Sequence, residues 1–336
     1  MRILIIRPGA IGDALLAFHI LKFLRMQYIH PHITFVSNAS VLPLAQASGL
    51  VDEASDYADS AWSEMFATSG IQTPRTLDIL QCIDLAICWL RDPDGQVKQN
   101  LLKAGVRQVV VAPGRSPEGQ GMHVVDYLAS TIGLQHITMD KFIPFTLPDS
   151  EKCIASPLSA PVAIHSGSGS TSKCWPARNF KSVIEQLIQH NIPVLLLSGP
   201  ADAERVREIL SYLSHQHRAG MLTVLENAPL LEVAHRLQQC KGYLGNDSGI
   251  THLAAMLGVP TLALFGPSDP LTWRPLGPSV IVVREDPLER LNVSVAIDTM
   301  NSFYLNGAVE SDRTSGMGTV HNVEQSSILD TRQTEN

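Results

Sequence analysis

Short apolar runs alternate with longer amphipathic stretches along most of this chain, a rhythm that predicts an α/β fold. Ile3-Leu-Ile-Ile6 is an unbroken apolar run, as expected of a strand buried on both faces. A helix is expected from about Ala14 to Arg25, where Leu15, Leu16, Phe18, Ile20, Leu21, Phe23 and Leu24 make a broad apolar face. Ile33-Thr-Phe-Val36 then completes a strand–helix–strand unit, the building block of parallel sheets. Leu85–Cys88 and Val109–Ala112 read as further strands, and Ser40–Ala47 and Val124–Ile132 as helices. Asp56–Thr76 carries Trp62, Met65 and Phe66 among polar residues, which suits a lid or an insertion beside a ligand.

The rhythm breaks over Thr146–Pro161, where Pro148, Pro157 and Pro161 and few large apolar residues mark a linker. Alternation resumes with strands at Val162–His165, Val194–Leu197, Tyr243–Leu244 and Thr261–Phe265. Helices fall between them at Phe180–His190, Ala203–His215, Leu230–Cys240 and His252–Leu257, with a last one at Ile297–Leu305. The expectation is two α/β domains, 1–150 and 160–305, facing a central cleft, and a polar, mobile tail over 306–336.

Composition narrows the function. Of 336 residues, 45% are hydrophobic and 17% charged, a globular balance. The net charge of −7 and the lack of Lys/Arg clusters argue against a nucleic-acid partner. Cys82, Cys88, Cys153, Cys174 and Cys240 lack zinc-ligand spacing and suit a reducing compartment. Pro8, Gly9, Gly12 and Asp13 interrupt the apolar N-terminus, and no run approaches a spanning helix. A cytoplasmic protein without a transmembrane segment is expected.

The candidate chemistry lies in loops that follow strands. In Gly245-Asn-Asp-Ser-Gly249, a polar turn opens a helix and gathers Asp247, Ser248, Gly249, Thr251 and His252 at its N-terminus. Unpaired backbone N–H groups there can receive an anion. Ser248 and Thr251 can donate to diphosphate oxygens. The repulsion between Asp247 and a bare phosphate directs that carboxylate to a hydroxyl, a loop N–H or Lys173. His252 either stabilises a leaving phosphate in its protonated form or packs the helix.

His165-Ser-Gly-Ser-Gly-Ser-Thr-Ser-Lys-Cys-Trp-Pro176 supplies hydroxyls at Ser168 and Thr171 and a point charge at Lys173. It lacks the Gly-Lys-Ser/Thr ending of a nucleoside-triphosphate loop. After the Val194–Leu197 strand, Asp202 or Glu204 can accept from ribose hydroxyls, or simply complement a helix N-terminus. In Arg7-Pro-Gly-Ala-Ile-Gly-Asp13, Asp13 is either a helix N-cap or a general base for an acceptor hydroxyl. Arg7 suits an anionic acceptor or a donor phosphate.

These segments resemble the ADP-heptose:lipopolysaccharide heptosyltransferase family, glycosyltransferase family 9. The resemblance rests on Arg7–Asp13, Met122–Tyr127, Lys173–Pro176, Gly245–Ala255 and Leu264-Phe-Gly-Pro-Ser-Asp-Pro270, in order, across Met1–Leu305. It implies a GT-B architecture of two Rossmann-like domains. The expected reaction is inverting transfer of a heptose-type sugar from ADP-heptose to a lipopolysaccharide core or related glycan, without a metal or other cofactor. Asp13 then matches the catalytic aspartate, Lys173 the phosphate-contacting lysine and Asp247 the acidic nucleotide-sugar ligand. Glu204 is the best match for the second-domain glutamate, with Asp202 beside it. Arg7 and Gly12 fall on the acceptor side, as would 56–76 if it is an insertion. Such an acceptor would bring the protein into peripheral contact with the inner face of the cytoplasmic membrane. Rival readings are a nucleotide-sugar epimerase or hydrolase, and a catalytically inactive nucleotide-sugar-binding protein.

Overall fold

The computed structural model describes residues 1–116, 121–134, 147, 160–213, 220–305 and 320–322. Two wholly parallel sheets organise the chain. The first has the order β3-β2-β1-β4-β5, from β1 (Arg2–Arg7), β2 (His32–Ser37), β3 (Glu53–Asp56), β4 (Leu85–Trp89) and β5 (Gln108–Ala112). In register, Ile5 lies between Phe35 on β2 and Ile87 on β4. Ile3, Leu4, Ile5 and Ile6 are fully buried because helices cover both faces of the sheet.

The second sheet has the order β12-β11-β10-β9-β6-β7-β8. Its strands are β6 (Val162–His165), β7 (Val194–Ser198), β8 (Leu222–Glu226), β9 (Gly242–Asn246), β10 (Thr261–Phe265), β11 (Val280–Arg284) and β12 (Val320–Asn322). The order reverses between β1 and β4 in the first sheet and between β6 and β9 in the second. Loops diverge at such switch points and leave a crevice at the carboxyl ends of the strands. Arg7–Asp13 leaves β1 at one crevice; 166–176 and 247–249 flank the other.

The Ile11–Gln27 helix explains its own broad apolar face. Ala14, Leu15, Leu16, Ala17, Phe18, Ile20, Leu21 and Leu24 are buried, because the helix packs on the first sheet and also against the Gly249–Met256 helix of the second domain. A single apolar cluster therefore runs from Ile3 and Leu15 through Leu253 and Met256, joining the domains.

Several elements differ from expectation. The first helix starts at Ile11, so Asp13 lies inside its first turn rather than capping it. β3, β8 and β11 were not expected; β3 and β8 contain partly exposed polar residues that blur the apolar run, whereas β11 is the plain apolar run Val280-Ile-Val-Val283. The segment expected as a lid or an acceptor-side insertion contains two short helices, Ser60–Ser63 and Glu64–Phe66. Trp62 and Met65 are buried there against Leu80 and Leu101. The Glu64 carboxylate accepts from the Gln72 and Thr73 N–H groups and the Thr73 hydroxyl, fastening the segment to its own domain. The linker over 146–161 lies outside the described residues except 147, 160 and 161. Of the 306–336 tail, only Val320–Asn322 are described, paired parallel to β11.

Candidate active site

On the first domain, Gly9 allows the chain to turn over the first helical turn. It adopts φ 126°, and a Cβ there would come within 2.9 Å of Asp13 Oδ2. Asp13 Oδ2 accepts from the Ala10 N–H at 3.4 Å. The Arg7 guanidinium donates to Asp13 Oδ1 at 3.1 Å, to the Asp13 carbonyl at 3.2 Å and to the Gly114 carbonyl at 2.9 Å. Arg7, expected to meet an anionic acceptor or a phosphate, is buried and spends its fork on orienting Asp13. Arg115 reaches the other carboxylate oxygen at 3.6 Å and lies 5.4 Å above the Trp273 ring of the second domain.

On the second domain, Asn246 at the end of β9 joins the two cradle loops. It accepts from the Trp175 N–H at 3.0 Å and donates to the Ser166 carbonyl at 2.8 Å. Lys173 Nζ pairs with Asp247 Oδ2 at 2.7 Å, one of the partners expected for that aspartate. The Ser168 hydroxyl donates to the Asp247 carbonyl at 2.6 Å, whereas Thr171 is exposed at the start of a short turn. Ser248 caps the Gly249–Met256 helix by accepting from the Thr251 N–H.

Burial and bonding bear on two of the expected contacts. The Thr251 hydroxyl donates to the Asn246 carbonyl and meets the Tyr243 hydroxyl in the interior, so it is not presented to a phosphate. Glu204 is exposed in the first turn of the Ala203–Tyr212 helix. Asp202 is instead the buried carboxylate beneath the cradle, bonded to His165 at 2.9 Å. Gly167 admits it there, since a Cβ would come within 1.8 Å of Asp202 Oδ1. His165 drew no functional reading from sequence because it ends an apolar strand; only the tertiary contact reveals it.

The two halves of the site touch. A Cβ on Gly249 would lie 2.9 Å from the Gly12 nitrogen, so a glycine at 249 lets these loops meet, whereas a Cβ on Gly12 would only touch the Gly249 Cα at 3.4 Å. Gly12, expected on the acceptor side, serves this contact between domains. His252 lies beneath it and feels both Asp13 and Asp247, which favour its charged form. Burial is the larger effect and lowers its affinity for the proton, with Lys173 adding to that. The charged form invoked for a leaving phosphate is therefore disfavoured. His123 Nε2 and the Arg274 carbonyl, 3.0 Å apart, add a further bond across the interface.

Two doubly wound sheets whose loops meet across a cleft make a GT-B architecture. Residues 145–300 match the family model of glycosyltransferase family 9 (heptosyltransferase). The structure is similar to Escherichia coli ADP-heptose LPS heptosyltransferase II, with a TM-score of 0.72 and 21% identity over 91% of this chain and 99% of that one. It is also similar to E. coli heptosyltransferase WaaC with ADP, with a TM-score of 0.68 and 17% identity over 90% of this chain and 99% of that one. These likenesses establish the fold. In sequence, the chain is 33% identical over 113 residues to lipopolysaccharide heptosyltransferase 2 of Salmonella typhimurium, a match spanning 34% of this chain and 32% of that protein. The chain carries a glycosyltransferase family 9 domain.

Among the described residues, no three His, Cys, Asp or Glu side chains are grouped to hold a metal ion. No described helix is long and apolar enough to cross a membrane.

Proposed function

We propose that the chain is an inverting glycosyltransferase that moves a heptose-type sugar from ADP-heptose to a lipopolysaccharide core or related glycan acceptor. The observation that carries this reading is the Gly12–Gly249 contact, which brings the Asp13 loop of one domain onto the anion-binding helix end of the other. The diphosphate sits at Ser248, the Gly249 N–H and Lys173. The acceptor lies in a shallow groove of about 240 Å³ lined by Pro8, Gly9, Asn38, Ala39, Asp56, Tyr57 and Ala58, at the carboxyl ends of β1–β3 and beside the Asp13 loop.

The reaction is then a single displacement. The acceptor oxygen bonds to the anomeric carbon as the bond from that carbon to the diphosphate breaks, and the electron pair leaves with ADP. Asp13 takes the acceptor proton, and its Arg7 clamp keeps the carboxylate aimed without rearrangement. Helix N–H groups and Lys173 stabilise the charge that develops on the departing diphosphate. Closure over the site excludes water, which would otherwise hydrolyse the donor.

The test is product analysis with ADP-heptose, with and without a heptose-deficient core oligosaccharide. Transfer gives acceptor-dependent ADP release and a glycosylated core. Free or epimerised sugar without an acceptor would support the epimerase or hydrolase reading. Tight ADP binding without turnover on any core acceptor would support an inactive binding protein.

A further inference from the structure

The register of the edge strands sets the wall of the groove beside the Asp13 loop. Ser37 on β2 pairs with Asp56 on β3, and the Tyr57 N–H donates to the Ser37 carbonyl at 2.8 Å, so Asn38 and Tyr57 leave the sheet side by side. Asn38 Oδ1 accepts from the Ser40 N–H at 3.0 Å and from the Ser40 hydroxyl at 2.8 Å. A backbone N–H only donates, so the bonded atom is the side-chain oxygen and the Asn38 amide NH2 stays available as a donor. Asp56 Oδ1 accepts from the Ala58 N–H at 2.9 Å, while Oδ2 has no partner among the described residues. Tyr57 packs partly against the first-domain core and also lines the groove. The lining thus offers a neutral donor, an anionic acceptor and an aromatic surface.

The charge of this wall is one-sided. No Lys or Arg occurs between Arg25 and Arg75, the stretch that supplies Asn38, Asp56 and Tyr57, whereas Asp52, Glu53, Asp56, Asp59 and Glu64 all fall within it. Asp52, Asp59 and Glu64 are tied to backbone N–H groups, and Glu53 stands beside His32 at the start of β3. Asp56 is the acid that lines the groove. Arg7 and Arg115, which approach the Asp13 loop, both pair with the Asp13 carboxylate. An anion in the groove would therefore face Asp56 with no Lys or Arg in the lining to offset the repulsion. A pair of sugar hydroxyls fits the same atoms: one donates to Asp56 Oδ2 and the other accepts from the Asn38 amide. We propose that the acceptor sugar docked beside Asp13 is uncharged, and that Asp56 is the specificity-determining residue that turns away a sugar bearing a phosphate or carboxylate there. That the ligand is an acceptor rests on the transferase reading; which charge the groove rejects does not.

The experiment measures transfer from ADP-heptose by the full chain to a matched set of disaccharide glycosides that differ only in the terminal sugar: neutral, phosphorylated, or oxidised to a uronic acid. kcat/KM should be about tenfold higher for the neutral acceptor, the scale of a like-charge contact at a partly exposed site. Raising the salt from about 50 mM to about 500 mM should narrow that gap. Asp56→Asn keeps an oxygen for the Ala58 N–H and should bring the acceptors within about twofold of one another, partly by gaining activity on the anionic ones. Damage to the fold cannot produce such a gain. A wild-type preference for either anionic acceptor, or an unchanged gap in Asp56→Asn, overturns the proposal. If no glycoside is turned over, saturation-transfer NMR of the same set decides the charge preference. Neutral binding that Asp56→Asn levels upholds the proposal, and equal or reversed binding in the wild type overturns it. Transfer to a heptose-deficient core tests the transferase reading separately.

Discussion

The two halves of the site are built on opposite plans. On the first domain, one carboxylate is held by a buried arginine and by the first turn of its own helix, with Arg115 approaching from a largely exposed position. On the second, Lys173–Asp247, His165–Asp202 and the Ser248–Thr251–Tyr243 hydroxyls form a nearly continuous bonded layer under two loops. The difference is physical. It suits the proposed roles: a base must change protonation during turnover and stay reachable, whereas a site for a charged leaving group gains most from dipoles fixed in advance.

The strongest way to break this comparison is Asp13→Asn. An asparagine keeps an oxygen for Arg7 but cannot take a proton, so kcat should fall by about 10³-fold while ADP affinity stays within about twofold. Retained turnover in a coupled ADP-release assay would remove the base from the first domain. Gly249→Ala probes the contact between the halves. Its methyl would press on the Gly12 nitrogen at 2.9 Å and hold the loops apart. A loss of about 10² in kcat with little change in ADP binding is expected, since misplacement of about 1 Å has that effect. Equal losses in kcat and ADP affinity would mean that the residue matters to the cradle alone.

Acid should loosen the interface between the halves. Burial lowers His19 to about 3 and His123 to about 4, so the unfolded chain binds protons that the folded chain refuses below the ordinary value of 6.5. Stability is therefore full above pH 6.5 and is lost as the pH falls toward these folded values. Each group contributes up to about 1.4 kcal/mol per pH unit within its window. Urea unfolding at pH 7 and pH 5 measures this, and equal midpoints would contradict neutral buried rings. The smallest effect is expected from Glu204→Gln. Exposed on its helix, it should alter ADP affinity by less than about twofold. A large loss there would restore the ribose role to Glu204.

The sequence displayed the elements that bury apolar surface on both faces. β1, β4, β6 and β10 were visible as short apolar runs, and the Ile11–Gln27 helix as a broad stripe. β3 and β8 were not, because a sheet edge tolerates polar residues and loses the pattern. The site was legible where residue type alone limits the chemistry. Asp247, Ser248 and Lys173 read as anion-site residues because a helix start, a hydroxyl and a cation are rarely placed together after a strand without use.

By itself, then, the sequence determined two parallel α/β domains, a carboxylate on one and, on the other, the glycine- and hydroxyl-rich loops with Lys173 that are proposed as a phosphate cradle. Local propensity and short-range loop chemistry are written in adjacent residues. Only the tertiary structure decided that Arg7 serves Asp13, that Thr251 is spent on the interior, that Asp202 rather than Glu204 lies under the cradle, and that His165 belongs to it. Some of these partners are distant in sequence, as His165 and Asp202 are, and others are near, as Arg7 and Asp13 or Thr251 and Asn246 are; in every case the direction in which a polar side chain spends its hydrogen bonds is fixed by which partners folding brings within reach.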